Sequence, residues 1–450
     1  MENATISEYL DNDYKEYAKY VIESRAIPSV IDGLKPTQRK VIHASNKHWK
    51  SETVKPMKVY QLGGKIAAEV NYHHGDSSMN SAITGMAQKF KNSMPLLEEI
   101  GQFGSLRAPD AGAPRYISTK LHKNFRLLYK DFELLNPRYE EGTEIEPDYF
   151  LPIIPTVLLN GSSGIAVGFA TNILNRNPLD LINCCLKELA GRSFNEPIPW
   201  INEFKGECIK QEDTNGSWTF YGSYKIKNTT TVDISELPPS ITYLKYDDYL
   251  NNLEDLRKIS SYDNNCKSDV NYVVKFTRAG LAELEKKGRL SKFLKMEERQ
   301  TENFTVLDET GKLKVFNTSI EIIKYFVKFR LKFYTKRKRY LINKISNELT
   351  LLSNKAKFIK MIIENKLKIN NIPKNEIIKS LTDNSFDKID GSYTYLLSMP
   401  IHSLTKEKYE ELLKMVGTKI EELKLLKGTK PEDMYKMDLE NLKKAIKKQY

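Results

Sequence analysis

The sequence predicts a multidomain α+β protein. Three observations carry that expectation: a punctuated helical pattern over the first 130 residues, short β-type runs mixed with helices from 131 to 318, and a sustained helical period after Asn317. At 450 residues the chain is long enough for three domains. The expected divisions are 1–130, 131–318 and 319–430, followed by a short basic tail at 431–450.

Residues 13–24 read as a helix. Pro28, Gly33 and Pro36 punctuate the loop after it, and Pro36 suits the first turn of a helix from Thr37 to about Trp49. A further helix is expected around 58–70, broken near Gly63-Gly64. Asp76 or Ser77 can cap another that runs to about Phe90. Its Met79, Ile83, Met86, Ala87 and Phe90 recur at helical spacing and mark a buried face, while Ser77, Ser78, Asn80 and Ser81 keep the other face polar. A polar helix start beside basic loops is the helix-turn-helix way of meeting DNA. An ordinary helical domain with solvated lysines fits the same pattern.

Beyond residue 130, Val157-Leu158-Leu159, Trp218–Tyr221, Thr231–Ile234 and Tyr272–Phe276 read as strands, with helices near 177–190 and 277–286. After Asn317, Thr318 and Glu321 have capping-box spacing. Ile320, Ile323, Phe326, Val327, Phe333, Tyr334 and Leu341 then predict one long helix continuing past residue 350. Its Lys336-Arg337-Lys338-Arg339 run reads either as a solvated face or as a DNA contact. A second long helix, Lys406 to about Leu426, can run back beside it, with short helices around 374–400 and breaks at Pro373 and Pro400.

The net charge of +12 and a pI of about 9.1 favour a polyanionic partner. Cys184, Cys185, Cys208 and Cys266 lack metal-ligand spacing, and the adjacent pair suits reduced, packed thiols in a cytoplasmic setting. The N-terminus lacks a signal-peptide pattern, and no run of about 18 apolar residues suggests a membrane span.

The segment with most chemical content is Ala113-Pro114-Arg115-Tyr116-Ile117-Ser118-Thr119, reached through Gly101-Gln102-Phe103-Gly104-Ser105. A tyrosine hydroxyl, with an ordinary pKa near ~10, is a poor nucleophile unless a cation stabilises the phenolate and a base takes the proton. Arg115 can do the first and can also hold a phosphate oxygen. A tyrosyl phosphodiester keeps the energy of the broken bond, so the pair suits a transesterase better than a nuclease. The chain has 25 tyrosines, and Arg-Tyr also occurs at Arg138-Tyr139 and Arg339-Tyr340, so context decides.

That context is a series of longer motifs. Ile31-Asp32-Gly33-Leu34-Lys35-Pro36-Thr37-Gln38-Arg39-Lys40-Val41, Lys58-Val59-Tyr60-Gln61-Leu62-Gly63-Gly64, Tyr72-His73-His74-Gly75-Asp76, Pro114-Arg115-Tyr116-Ile117 and Leu159-Asn160-Gly161-Ser162-Ser163-Gly164-Ile165-Ala166-Val167-Gly168 follow one another in order. Together they resemble the breakage-rejoining, gyrase-A-like part of type IIA DNA topoisomerases. The Gln-Arg-Lys, Tyr-His-His-Gly and Pro-Arg-Tyr-Ile variants look like the T-even bacteriophage branch.

The resemblance implies a winged-helix catalytic domain, a mixed α/β tower that supports bent DNA, and a long antiparallel coiled coil ending in a C-terminal dimerisation gate. It implies an ATP-dependent type II topoisomerase in which Tyr116 is the nucleophile of a 5′-phosphotyrosyl bond and Arg115 stabilises the scissile phosphate. Arg25 and His74 fall on positions near the reaction centre, and Lys35, Arg39 and Lys40 would grip backbone phosphates. His73 and His74 read equally as a hydrogen-bonded structural pair. Ile165, between glycine-rich stretches, would wedge between base pairs, where its pattern alone reads as a buried strand. Ser77 would lie at the DNA face, and Ser81 stands where drug-sensitive relatives carry an acid. Asp11-Asn12-Asp13 reads as a cap, and no phosphate-binding Gly-rich loop with its lysine occurs. No metal site is therefore expected on this chain; Mg²⁺ and ATP would be held by ATPase/TOPRIM partner subunits. The other expected partners are double-stranded DNA and a second copy of the chain, in the host cytoplasm if the chain is viral. Relaxation or decatenation is expected in place of active supercoiling. The rivals are a non-catalytic DNA-binding scaffold of the same fold and a tyrosine recombinase, whose Arg-His-Arg constellation is not evident.

Overall fold

The computed structural model describes residues 10–448 apart from 52, 73 and 213–215. The chain divides into two compact units, one of Met1–Arg330 with Asp438–Tyr450 and one of Leu331–Met437.

In the first unit, residues 10–26 are helical throughout, an α-helical Lys15–Val21 flanked by wider π turns at Leu10–Tyr14 and Ile22–Ala26. Asp13 is therefore inside a helical turn and not a cap before one. Pro36 opens the helix Pro36–His48, whose start is closed by the Lys35 amide donating to Gln38 Oε1 at 2.9 Å. The helix Val59–Glu69 runs unbroken through Gly63-Gly64. Close packing explains the first glycine: a Cβ on Gly63 would lie 2.8 Å from Asn80 Oδ1 of the next helix. That helix, Asp76–Ala87, starts after Gly75 with no side-chain cap, so neither Asp76 nor Ser77 caps it. Asp76 instead places its carboxylate in the first turn, at the positive end of the helix dipole. Met79, Ile83, Met86, Ala87 and Phe90 are buried as the spacing predicts.

Two antiparallel sheets occupy the middle of the unit. One has the order Glu297–Thr301, Ser217–Tyr221, Glu207–Lys210. The other has the order Ser223–Asn228, Thr231–Glu236, Tyr272–Lys275, Ser261–Asn264. Val232, Ile234, Tyr272 and Val274 from this sheet share a core with Tyr246 and Leu250 of the helix Tyr243–Asp255 and Leu281 of the helix Arg278–Lys286. Residues 157–159, expected as a strand, form part of a helical turn, Thr156–Leu159. A short buried apolar run does not distinguish the two, and here Pro155 leads into the turn and accepts from the Leu158 and Leu159 amides. Arg176 and Glu302, both fully buried, pair at 2.6 Å.

In the second unit, the later part of the 45-residue helix Ser319–Ile363 lies beside the helix Lys406–Gly428. Lys338 Nζ donates to the Lys427 carbonyl at 2.9 Å and Lys419 pairs with Glu348 at 3.2 Å, so the two helices run antiparallel. The start of the 45-residue helix belongs to the first unit; there Thr318 Oγ1 accepts from the Glu321 amide at 3.3 Å, while the Glu321 carboxylate reaches back to the Asn317 amide at 3.0 Å. The helices Lys374–Asp383 and Thr394–Leu397 close a small core of Phe358, Leu367, Leu381, Phe386, Tyr393 and Leu396. Residues 431–447, expected as a basic tail, form the helix Pro431–Lys447, which begins in the second unit and from Asp438 onward belongs to the first. Leu439, Leu442 and Ile446 are buried at helical spacing, which a free tail would not bury.

Candidate active site

Residues 100–118 form a lobe bonded to itself at two levels. Its base is the antiparallel bridge between Ile100 and Ser118, and above it the Gly112 amide donates to the Gln102 carbonyl at 2.9 Å. From the helix Asp76–Ala87 side, Gln88 Nε2 donates to the Phe103 carbonyl at 2.7 Å. The limb carrying Tyr116 turns back on itself through the Tyr116 amide and the Ala113 carbonyl, 2.8 Å apart. It then docks on the start of the helix Val59–Glu69. The Tyr60 amide donates to the Pro114 carbonyl at 3.2 Å and the Val59 amide to the Ile117 carbonyl at 3.1 Å, so two amides without partners inside their helix are satisfied by this limb. Ile117 is buried, and Tyr116 between these anchors is 72% exposed.

Three sources of positive potential belong to this limb and its anchor. Lys58 Nζ donates to the Tyr116 carbonyl at 2.9 Å. Arg115 is exposed and has no ion pair among the described residues. The helix start adds its dipole. An exposed tyrosine on a limb that also carries Arg115, and whose backbone Lys58 holds, is suited to attack a phosphodiester.

The other predicted residues fall into separate groups. His74 Nε2 lies 2.9 Å from the Tyr20 hydroxyl and packs edge-on to Tyr72 with ring centroids 5.3 Å apart. These residues open onto a cleft of about 1090 Å³ also lined by Lys19, Glu23 and Arg138. His73 lies outside the described residues. Arg25 is exposed in the turn Ile22–Ala26. No hydrogen bond among the described residues joins His74 or Arg25 to Tyr116.

Ile165 ends the first strand of a hairpin, Ser162–Ile165 with Ala170–Ile173, so the strand that its pattern suggests is present but does not bury it. It is 87% exposed. The hairpin is seated closely on the preceding elements: Lys35 Nζ donates to the Ser163 carbonyl at 2.7 Å, and a Cβ at Gly164 would meet the Ala26 carbonyl oxygen at 2.3 Å. Arg25, Lys35 and Ile165 thus belong to one neighbourhood. Burial pulls the Lys35 ammonium below its ordinary pKa. Ser77, Ser78 and Ser81 are exposed on the helix Asp76–Ala87.

The expected phosphate grip does not extend to Arg39 and Lys40 in this structure. Arg39 is 6% exposed and forks onto Asp32, with Nε to Oδ2 at 2.6 Å and Nη2 to Oδ1 at 2.9 Å. Burial alone would lower its pKa, and Asp32, joined by Glu146 and Tyr129, more than reverses that. Lys40 Nζ binds Glu146 at 2.9 Å and the Val70 carbonyl at 2.8 Å. Neighbours on a helix point about 100° apart, so a Gln-Arg-Lys run cannot present every side chain to one surface. Lys58, Tyr20 and Gln88 were not singled out from the sequence. Lys58 has a signal in its own motif; the Tyr20 contact joins residues 54 apart and has none.

Among the described residues no group of three or more His, Cys, Asp or Glu side chains could hold a metal ion. No helix among them is long and apolar enough to cross a membrane.

Comparison with known proteins follows the same lines. The family model for the A subunits of DNA gyrase/topoisomerase IV matches residues 25–443. The chain is 32% identical over 465 residues to DNA topoisomerase 2, mitochondrial, of Dictyostelium discoideum, covering 100% of this chain and 36% of that protein. It is 33% identical over 455 residues to the DNA topoisomerase medium subunit of Enterobacteria phage T4, covering 98% of this chain and 100% of that one. The crystal structure of the Plasmodium falciparum topoisomerase II DNA-binding, cleavage and re-ligation domain superposes with a TM-score of 0.87 at 34% identity, covering 98% of this chain and 64% of that chain. The chain spans about a third of the length of the eukaryotic topoisomerases it matches, 36% in the Dictyostelium case.

Proposed function

The chain belongs to the family of the A subunits of DNA gyrase and topoisomerase IV, among the type II topoisomerases, and from that premise we propose that it is the DNA-cleavage and rejoining subunit of an ATP-dependent enzyme that relaxes or decatenates DNA. The observation that carries the reading is Tyr116, exposed on a limb that is anchored on both sides and flanked by Lys58 and Arg115.

The Tyr116 phenolic oxygen attacks the scissile phosphorus. A bond forms between Tyr116 Oη and phosphorus and the bond from phosphorus to the 3′ oxygen breaks; the phenolic proton passes to a base, and a proton is delivered to the 3′ oxygen so that it leaves as a hydroxyl, with no net change in protons. A 5′-phosphotyrosyl link remains, and attack by the 3′ hydroxyl reverses the step. Arg115 and Lys58 supply charge where the phosphate and phenolate gain it. His74, held by Tyr20, and Arg25 serve the phosphates around the break. Ile165, with Lys35 behind its hairpin, is the wedge that opens a base step, and Ser77 faces the duplex.

Two copies of the chain, each cutting one strand, make the staggered double-strand break. In this reading residues 1–130 are a winged-helix domain, 131–318 a tower, and 319–430 a coiled coil ending in the dimerisation gate. Divalent metal and ATP belong to TOPRIM and ATPase partner subunits, where the metal supplies Lewis-acid stabilisation of the phosphate. The enzyme works in the cytoplasm, the host's if the chain is viral.

The test is Tyr116→Phe with partner subunits, Mg²⁺ and end-labelled duplex. Loss of covalently attached DNA with duplex binding retained is expected. Attachment that persists in the variant would remove Tyr116 from the role, and an unmodified chain that binds but never attaches would return the scaffold reading.

A further inference from the structure

Arg107 stands at the tip of the lobe whose descending limb carries Tyr116. The tip is a tight turn: the Ser105 amide donates to the Ala108 carbonyl at 2.9 Å and the Ala108 amide to the Ser105 carbonyl at 3.2 Å. Of residues 104–112, Arg107 alone is buried. Its Nη1 donates to the Pro238 carbonyl at 2.6 Å and the Ile241 carbonyl at 2.9 Å. Its Nη2 donates to Glu236 Oε1 at 2.5 Å and to the Leu237 carbonyl. Its own carbonyl accepts from the Tyr243 amide at 3.0 Å, at the start of the helix Tyr243–Asp255.

Glu236 ends the strand Thr231–Glu236 and is itself fixed. Its Oε1 accepts from the Leu237 amide at 2.9 Å and its Oε2 from the Lys205 amide at 3.0 Å. The tip of the lobe is therefore held to the four-stranded sheet region by one guanidinium and a set of directional bonds, where apolar packing would have allowed sliding. A planar fork with each partner in place admits one orientation. The limb from Arg107 to Tyr116 is tied twice on the way, at Pro109, whose carbonyl accepts from Gln88 Nε2 at 3.2 Å, and at Gly112 to Gln102. A shift of the tip is thus carried toward the tyrosine.

We infer that Arg107 is a positioning residue for Tyr116, fixing the reach of the tyrosine by locking its lobe to residues 236–241. This rests on the proposed cleavage function. It assigns Arg107 no contact with DNA, so its loss acts on the attack step and leaves duplex affinity alone.

The experiment measures two quantities on the full chain with its partner subunits and Mg²⁺: duplex affinity, and the rate of covalent attachment at saturating duplex. Arg107→Met removes every donor of the fork. Glu236→Gln keeps Arg107 and the fold of the loop but weakens the fork. We expect both variants to bind duplex within about twofold of the unmodified chain. Attachment should slow at least ~10-fold in Arg107→Met and by a smaller factor in Glu236→Gln, as for a displaced reacting group. If Arg107→Met does not fold, the same split in Glu236→Gln decides the matter. Attachment at the unmodified rate in the folded variants, or losses of binding and attachment in proportion, would overturn the inference. Failure of the unmodified chain to attach would instead bring down the cleavage reading itself.

Discussion

Arg39→Ala separates a structural from a DNA-gripping role for the Gln-Arg-Lys run. Asp32 is fully buried, and its carboxylate accepts four hydrogen bonds, from Arg39 Nε and Nη2 and from the Leu34 and Phe150 amides at 3.0 and 3.1 Å. Removing Arg39 leaves that carboxylate charged, buried and without its cation. It also removes a donor from the Leu34 carbonyl. Breaking a buried pair from one side costs about 3–5 kcal/mol. At roughly 1.5–2 °C per kcal/mol for a folding unit this large, the midpoint of thermal unfolding should fall by about 5–10 °C. Calorimetry reads the shift, and anisotropy of a labelled duplex over a salt series reads the DNA side. A lysine or arginine on a phosphate contributes about 0.9 to the slope of log affinity against log salt. The slope should be unchanged in Arg39→Ala. An unchanged midpoint together with a slope reduced by about 0.9 would refute the reasoning and return Arg39 to the phosphates.

Ile165→Ala should leave stability within about 0.5 kcal/mol, since the side chain is exposed, while end-to-end energy transfer across a labelled duplex shows less bending; unchanged bending would dismiss the wedge. Lys58→Met should slow covalent attachment roughly 10–100-fold by loosening the Tyr116 limb and removing positive charge, and an unaltered rate would make Lys58 a bystander. Burial lowers His43 from its ordinary 6.5 to about 4, so the folded protein keeps it neutral while the unfolded chain protonates it first. Its contribution is complete above about pH 6.5 and is lost as pH falls toward 4, by about 1.4 kcal/mol per unit of separation. Urea unfolding at about pH 7.5 and about pH 5 should show that loss, and His43→Gln should reduce it; equal slopes in both proteins would contradict the assignment.

Local periodicity and punctuation made the helices legible: Pro36 opens one, Met79 to Phe90 mark the buried face of another, and Thr318 begins the longest. Tyr116 and Ile165 stand out through the motifs around them, but their settings do not: Lys58 reaches the Tyr116 limb across 58 positions and Lys35 the Ile165 hairpin across 128. What could not be read depends on partners distant in sequence. Lys40 meets Glu146 across 106 positions and Arg107 meets Glu236 across 129. Arg39 and Asp32 are only seven apart, yet nothing local shows that both are sealed beneath residues near 150. Gly63-Gly64 looked like a break because a close helix crossing and a helix end call for the same residue. The helix Pro431–Lys447 hid behind its lysines, although Leu439, Leu442 and Ile446 carried the period.

The central claim is that Tyr116 carries the broken DNA. Its most direct test is to mix the chain with its ATPase/TOPRIM partner subunits, Mg²⁺ and a duplex labelled at each end in turn. Rapid denaturation and digestion then identify the attached peptide. The prediction is one modified peptide, bearing Tyr116 joined to a DNA 5′ phosphate with a free 3′ hydroxyl opposite. Attachment at another residue, a 3′ link, or tight binding without any attachment would contradict it.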